Sequence, residues 1–350
     1  MKNILSLINP IEIIYLFLNY LNKRFTKSKV IPDSKVISIG NITTGGTGKT
    51  PAVIYVSRIL KNKKIGILSR GYGGRKEKTG GILSDGHKIK MSELDSGDEP
   101  YLLAANVKNI PVAIGKNRYK SALLLKKKYN LNLFLLDDGF QHYALKRNLD
   151  IVIIDASNPF GIGHLLPVGS LREPVSALER SHLIILSKCD LITKTQLNSL
   201  INTIEKLSKH QNIFKSIHKP VSLIKLPKSY GINFQKDKEI NLRNLRNKKI
   251  WALSSIGNPK AYKKMLLNLG VKEVKTLKFK DHHKYTVKNI QSIIKKTNKN
   301  DFIITTEKDW IRLQTFADLF NDFNNFYYLK IEFTIIEKEK IFQKKLLSFI

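Results

Sequence analysis

Short, unbroken apolar runs recur along the chain with polar or helical stretches between them. Val36–Ile39, Ile65–Leu68, Val112–Ile114, Leu133–Leu136, Ile151–Ile154 and Leu183–Leu186 make one series, and Ile250–Ser254, Phe302–Thr305 and Phe326–Ile331 a second. Runs of this length that do not alternate with polar residues are characteristic of parallel strands buried on both faces. The pattern predicts an α/β core with right-handed crossovers. Between the two series, residues 191–248 are rich in Lys and Asn and weakly patterned, so a domain boundary is expected there. The expected division is an N-terminal helix over 1–28, a core domain over 29–220 and a smaller α/β domain over 221–350. Asn258-Pro259 marks a helix start with Pro at its first position.

Residues 4–21 are the most apolar stretch. They do not read as a secretory signal, since Lys2 alone precedes them and no small-residue cleavage site follows. As a membrane span the stretch is short and is interrupted by Pro10, Glu12 and Asn19. Wound as a helix from Pro10, it puts Glu12, Asn19 and Lys23 on one narrow stripe and leaves a broad apolar face. Lys23, Arg24, Lys27 and Lys29 follow. Such a helix is expected to lie in a membrane interface. At roughly 1 kcal/mol per basic residue near an anionic leaflet, the cluster adds a second anchoring signal.

The 350 residues can bury a sizeable core, and the net charge of +33 favours an anionic partner. Only 11 of the 61 basic residues are Arg, so part of the excess reflects a lysine-rich composition rather than a binding surface. Basic tracts interleaved with aromatics and zinc-knuckle spacings are both missing, which argues against nucleic acid as the partner. A single cysteine, Cys189, excludes internal disulfides and Cys-based metal sites.

The chemistry centres on Lys35–Leu60, KVISIGNITTGGTGKTPAVIYVSRIL. An apolar strand, a glycine-rich turn and a helix opening on Gly48-Lys49-Thr50 form a phosphate-binding loop. Its expected nucleotide contacts are Thr43, Thr44, Gly45, Gly46, Thr47, Gly48, Lys49 and Thr50. Lys49 would reach the β/γ-phosphates and the Thr50 hydroxyl would ligate Mg²⁺. The loop departs from the usual pattern at Thr43, where Gly is expected. Other polar clusters sit where an open α/β sheet places its ligands, near strand ends. Asp137-Asp138 closes an apolar run, as in enzymes that hold Mg²⁺ opposite the loop Thr. Further stretches are Gly97-Asp98-Glu99-Pro100, Asp281-His282-His283 and the Arg172-bearing segment 166–174. Ser69–Arg75 is flexible and basic enough to line a substrate cleft. Ser187-Lys188-Cys189-Asp190 is similar to the guanine-reading motif of GTPases, with Ser in place of Asn. A GTPase-type switch or metallochaperone is therefore the alternative to a kinase, and a membrane-bound nucleotide sensor a second.

Taken together, these stretches resemble the tetraacyldisaccharide 4′-kinase family. The carrying motifs are GNITTGGTGKTP (40–51), SRGYGG (69–74), GDEP (97–100), DDGFQH (137–142), LPVGSLREP (166–174), DHH (281–283) and TTEKD (305–309). The departures are small: Ser170, His283 and Trp310 are flanking variants. The resemblance implies transfer of the ATP γ-phosphate to the 4′-hydroxyl of a tetraacylated glucosamine disaccharide 1-phosphate, giving lipid IVA. It implies a P-loop NTPase-like parallel core, a second smaller domain closing over the site, and a peripheral protein on the cytoplasmic face of the inner membrane. The family's Asp–His pair carries over onto Asp98 and His282, beside Lys49. Mg²⁺ would be held by Thr50 with Asp137, Asp138 or Glu99. Arg172, Gln141 and Arg118 are candidate contacts to the lipid substrate.

Overall fold

The computed structural model describes residues 9–208, 212–226 and 239–350. Residues 4–8 of the apolar stretch and 209–211 and 227–238 of the polar stretch lie outside them.

The strands are β1 (Lys35–Gly40), β2 (Ile65–Ser69), β3 (Gly81–Ser84), β4 (Val112–Ile114), β5 (Leu133–Asp137), β6 (Leu149–Asp155), β7 (Leu183–Ser187), β8 (Ile213–Lys225), β9 (Glu239–Ile240), β10 (Lys249–Ser254), β11 (Glu273–Lys278), β12 (Phe302–Thr306) and β13 (Phe326–Ile335). The helices are α1 (Pro10–Phe25), α2 (Lys49–Ile59), α3 (Glu93–Ser96), α4 (Asp98–Asn106), α5 (Arg118–Tyr129), α6 (Lys194–Ser208), α7 (Pro259–Asn268), α8 (Val287–Lys296), α9 (Glu307–Leu313) and α10 (Glu339–Ser348). One mostly parallel sheet runs in the order β11-β10-β12-β13-β8-β7-β6-β1-β5-β2-β4-β3, with β9 on β8. All nine apolar runs are strands. The first series is buried on both faces and the second largely so, and together they form the core clusters on either side of the sheet.

The weakly patterned stretch holds more order than its composition predicts. It contains α6, the whole of the longest strand, β8, and the short β9. The inward positions of β8 include Phe214, Ser216 and His218, so polar residues stand where alternation would show apolar ones. Pro220 lies opposite a shift in the β13 register, where the ladder does not need its missing N–H. Residues 213–215 of β8 pair in parallel with β7, and residues 216–225 pair antiparallel with β13, so this one strand joins the two half-sheets. The C-terminal segment returns: Phe333, Ile335, Phe342 and Leu346 pack into the core around β1.

The order β6-β1-β5 puts the strand feeding the phosphate loop in mid-sheet, with chain crossovers to both sides. The carboxyl ends of β1, β5, β6 and β7 therefore open on one crevice, the usual ligand position in such sheets.

Candidate active site

A cleft of about 780 Å³ runs along that edge. Gly45–Pro51 line one side, with Asp98, Glu99, Asp137 and Asp138. Asp281, His282 and Thr306–Lys308 come from the other half of the sheet.

The loop between β1 and α2 is held on all sides. The Thr44 N–H donates to the Ser170 carbonyl at 2.7 Å, and the Arg172 N–H donates to the Ile42 carbonyl at 2.7 Å. Thr43 bridges Leu171 in antiparallel fashion, so the non-glycine residue at this position serves as a strap point. On the opposite side Ser187 Oγ donates to the Thr47 carbonyl at 2.7 Å and Lys188 Nζ to the Gly46 carbonyl at 2.7 Å. Lys188 also ion-pairs with Asp155 at the end of β6. The guanine-like stretch thus supplies two clamps on the phosphate loop. Gly48, the cap of α2, has φ +95°, and a Cβ there would stand 2.7 Å from His218 Nε2. Only glycine fits this turn. His218 lines the cleft, and its Nε2 has no hydrogen-bond partner among the described residues. Burial first, and then the Lys188 charge, lowers its pKa to about 4, so it is neutral.

Opposite Lys49 stands the acidic strand end. Lys49 Nζ lies 3.6 Å from Asp138 Oδ1, and Arg172 Nη1 donates to both Asp138 oxygens at 2.9 Å. Asp137 is buried and accepts from Ser69 Oγ at 2.9 Å. Burial, and after it the carboxylates of Glu99 and Asp138, push its pKa up to about 7. Lys49 and Arg172 offset the charge of Asp138 and Lys308 that of Glu99, and among the described residues no three carboxylate, His or Cys side chains group closely enough to hold a metal ion by themselves. A Mg²⁺ ion, which takes one or two carboxylates beside phosphate oxygens, fits the Thr50 hydroxyl with one or two of Asp137, Asp138 and Glu99 rather than with all of them.

Asp98 and Glu99 open α4, where the helix dipole favours negative charge. Gly97 before them has φ +86°, and a Cβ there would meet the Tyr72 carbonyl at 2.5 Å, so the 69–75 loop seats this turn. From the other half, Arg312 Nε donates to Asp98 Oδ2 at 2.9 Å, and His282 Nδ1 lies 3.3 Å from the same oxygen. Burial opposes ionisation of Asp98, but the His282 hydrogen bond and the Arg312 and Lys308 charges outweigh it and hold the carboxyl well below the usual range. Glu99 accepts from Lys308 Nζ at 2.7 Å, and that ammonium is 3.1 Å from His282 Nε2. Asp138, Lys188 and His282 all have positive φ (52°, 57°, 56°), as do several turn and cap residues away from the cleft such as Asn130 and Lys338. The neighbouring His283 stacks on Phe279 at 4.8 Å and meets Asn289 at 3.0 Å, a structural role.

Gln141 lines the cleft, but its amide donates to the Asn41 carbonyl and to Glu173. Arg118 is buried, with Nη1 donating to the Lys116 carbonyl at 3.1 Å and Nε without a partner among the described residues. Burial, then Arg70, lowers its pKa to about 10, while the charges of Asp138 and Asp137 oppose that shift.

Sequence reasoning gave no role to Lys308, Arg312 or His218. Lys308 is the lysine of TTEKD and Arg312 stands four residues after it, a basic i, i+4 pair legible in the sequence, whereas His218 carried no signal.

At the mouth, α1 lies with its polar stripe inward. Glu12 is 5% exposed and accepts from the Leu165 N–H at 3.0 Å, while Tyr15 and Asn19 both donate to the Arg172 carbonyl at 3.1 Å. Ile13, Ile14, Phe17 and Leu18 face outward, each more than half exposed. No helix among the described residues is long and apolar enough to cross a membrane.

The family model for tetraacyldisaccharide-1-P 4′-kinase matches residues 4–350. The tetraacyldisaccharide 4′-kinase of Halothermothrix orenii is 35% identical over 346 residues, 95% of this chain and 90% of that one. The enzyme of the same name from Desulfatibacillum aliphaticivorans is 36% identical over 295 residues, 83% of this chain and 77% of that one. The crystal structure of "apo" form LpxK from Aquifex aeolicus in complex with ATP superposes with a TM-score of 0.71 at 30% identity, covering 97% of this chain and 96% of that one.

Proposed function

The chain belongs to the tetraacyldisaccharide 4′-kinase family of lipid A biosynthesis, and from that premise we propose how its cleft performs the transfer. The observation that carries the proposal is the meeting, in one cleft, of a strapped phosphate loop from one half-sheet and an Asp98–His282 pair assembled from both.

ATP lies with its phosphates on the Gly45–Thr50 amides and Lys49, where the α2 dipole and the ammonium offset their charge. Thr50 with Asp137, Asp138 or Glu99 would hold Mg²⁺, which would supply neutralising charge to the phosphates. The sugar 4′-oxygen bonds to the γ-phosphorus as the bond to the β–γ bridging oxygen breaks, that electron pair leaving with ADP. The hydroxyl proton passes to Asp98 and then to water. His282 donates to Asp98 and fixes its direction. Because Asp98 and His282 sit on different half-sheets, meeting across the cleft, transfer depends on the two halves being closed. Arg172 and Gln141 line the cleft and border the acceptor's phosphate or sugar, whereas Arg118 is buried outside the cleft lining and acts on it only through its charge.

The outward apolar face of α1 and the lysines after it rest in the anionic cytoplasmic leaflet of the inner membrane, so the acyl chains need not leave the bilayer. The α1 polar stripe bonds to the Arg172 carbonyl, which ties the anchoring helix directly to the site.

The test is transfer of labelled γ-phosphate to the tetraacyl disaccharide 1-phosphate in detergent micelles, from ATP and from GTP. Labelled lipid from ATP, lost in Lys49→Ala, is the expected result. Hydrolysis without labelled lipid, with GTP preferred, would overturn the assignment of the cleft.

A further inference from the structure

The two oxygens of Asp98 are unequally occupied. Oδ2 accepts from Arg312 Nε at 2.9 Å and from Arg312 Nη2, with His282 Nδ1 at 3.3 Å. Oδ1 accepts the Glu99 N–H at 2.9 Å. A carboxylate oxygen has about two lone-pair sites, so Oδ2 is saturated and Oδ1 retains one. Lys308 Nζ, which can only donate, is 3.1 Å from His282 Nε2. Arg312 Nη2, likewise only a donor, is 3.4 Å from Nδ1 of the same ring, so the imidazole stands between two cations.

Arg312 is itself fixed. Its side chain is 9% exposed, and Nη1 donates to Ser255 Oγ at 2.8 Å. Ser255 is held by the carboxylate of Asp309, which is fully buried and also accepts from Tyr285 Oη at 3.1 Å and Thr306 Oγ1 at 2.7 Å. The guanidinium fork is thus held rigidly by the second half of the molecule and aimed at one oxygen of the first. The other charged groups facing this pair are Lys308, Glu99 and Asp281.

We infer that Arg312 is a positioning residue for phosphoryl transfer, pinning Asp98 Oδ2 so that Oδ1 is the atom that takes the acceptor hydroxyl's proton. The inference rests on the reading of Asp98 as proton acceptor. A lysine at 312 keeps the charge but cannot make the two-pronged contact.

The experiment compares wild type, Arg312→Ala, Arg312→Lys and Asp98→Asn in the lipid-phosphorylation assay, with ATP varied and with low, non-denaturing guanidinium added. Arg312→Ala is expected to lose kcat about a hundredfold with KM for ATP within threefold, as for lost orientation of a reacting group. Guanidinium is expected to restore kcat at least tenfold in Arg312→Ala and to leave wild type unchanged. Arg312→Lys is expected to fall at least tenfold in kcat and to ignore guanidinium. Should Arg312→Ala fail to fold, Arg312→Lys carries the test through its kcat. A kcat within threefold of wild type in either variant, or a folded Arg312→Ala that guanidinium does not rescue, would overturn the role. An active Asp98→Asn removes the proton-acceptor reading itself. An inactive Asp98→Asn beside a fully active Arg312→Ala removes only the part given to Arg312.

Discussion

At the residue scale, the site depends on side chains whose ionisation is set by burial and close partners rather than by their type. His218 is buried against the phosphate loop and its pKa lies near 4, below the ordinary value of 6.5. Between those values the unfolded chain takes up a proton that the folded one refuses. The histidine's contribution to stability is therefore present above pH 6.5 and lost as pH falls towards 4, by at most about 3 kcal/mol. His218→Gln removes that titration. The unfolding free energy of wild type relative to this variant should fall from pH 7 to pH 4 in denaturant melts. A difference independent of pH would show that His218 is not the buried neutral group described. Side chains of this kind were the least legible part of the sequence. His218 stands alone in a polar stretch, and Arg312 follows a motif without belonging to it. Lys49, Thr50, Asp98, Asp137, Asp138 and His282 stood out because each lies in a short cluster at a strand end or glycine turn, and the structure brings all six to one cleft.

At the element scale, unbroken apolar runs marked nine strands, because strands buried on both faces need apolar residues at every position. The same rule explains what was missed. β8 buries Ser216 and His218, and β11 alternates with exposed lysines near the sheet edge. α1 was legible in outline, and the structure shows which way it faces: Glu12, Tyr15 and Asn19 inward, the aliphatic residues outward. A helix with this orientation contributes little to the core, so charging its outer face should spare the fold. Ile14→Asp combined with Phe17→Asp is expected to leave the melting temperature within about 2 °C, since exposed substitutions cost little. Flotation with anionic vesicles should drop at least tenfold, in line with lost apolar insertion. Equal flotation of the variant and wild type would place the membrane contact elsewhere, and a collapsed melting temperature would mean that the face is packed.

At the scale of the whole molecule, a single strand, β8, joins the two half-sheets, and two ion-paired contacts close the cleft in front of it: Arg312 to Asp98 and Lys308 to Glu99. The phosphate loop, Asp137 and Asp138 belong to one half, and Arg312 and His282, which meet Asp98, belong to the other. On the proposed roles, that division makes the full catalytic set complete only when the cleft is closed, which favours transfer to the lipid over transfer to water. The central claim is that Asp98 accepts the proton while the phosphate loop binds the nucleotide independently of it. The most direct measurement is therefore Asp98→Asn, with ATP affinity and phosphate transfer to the lipid acceptor determined on the same preparation. The account predicts ATP affinity within a few-fold of wild type and transfer reduced at least about a hundredfold, the scale of a lost general base. Transfer within tenfold of wild type, with ATP bound normally, would contradict it.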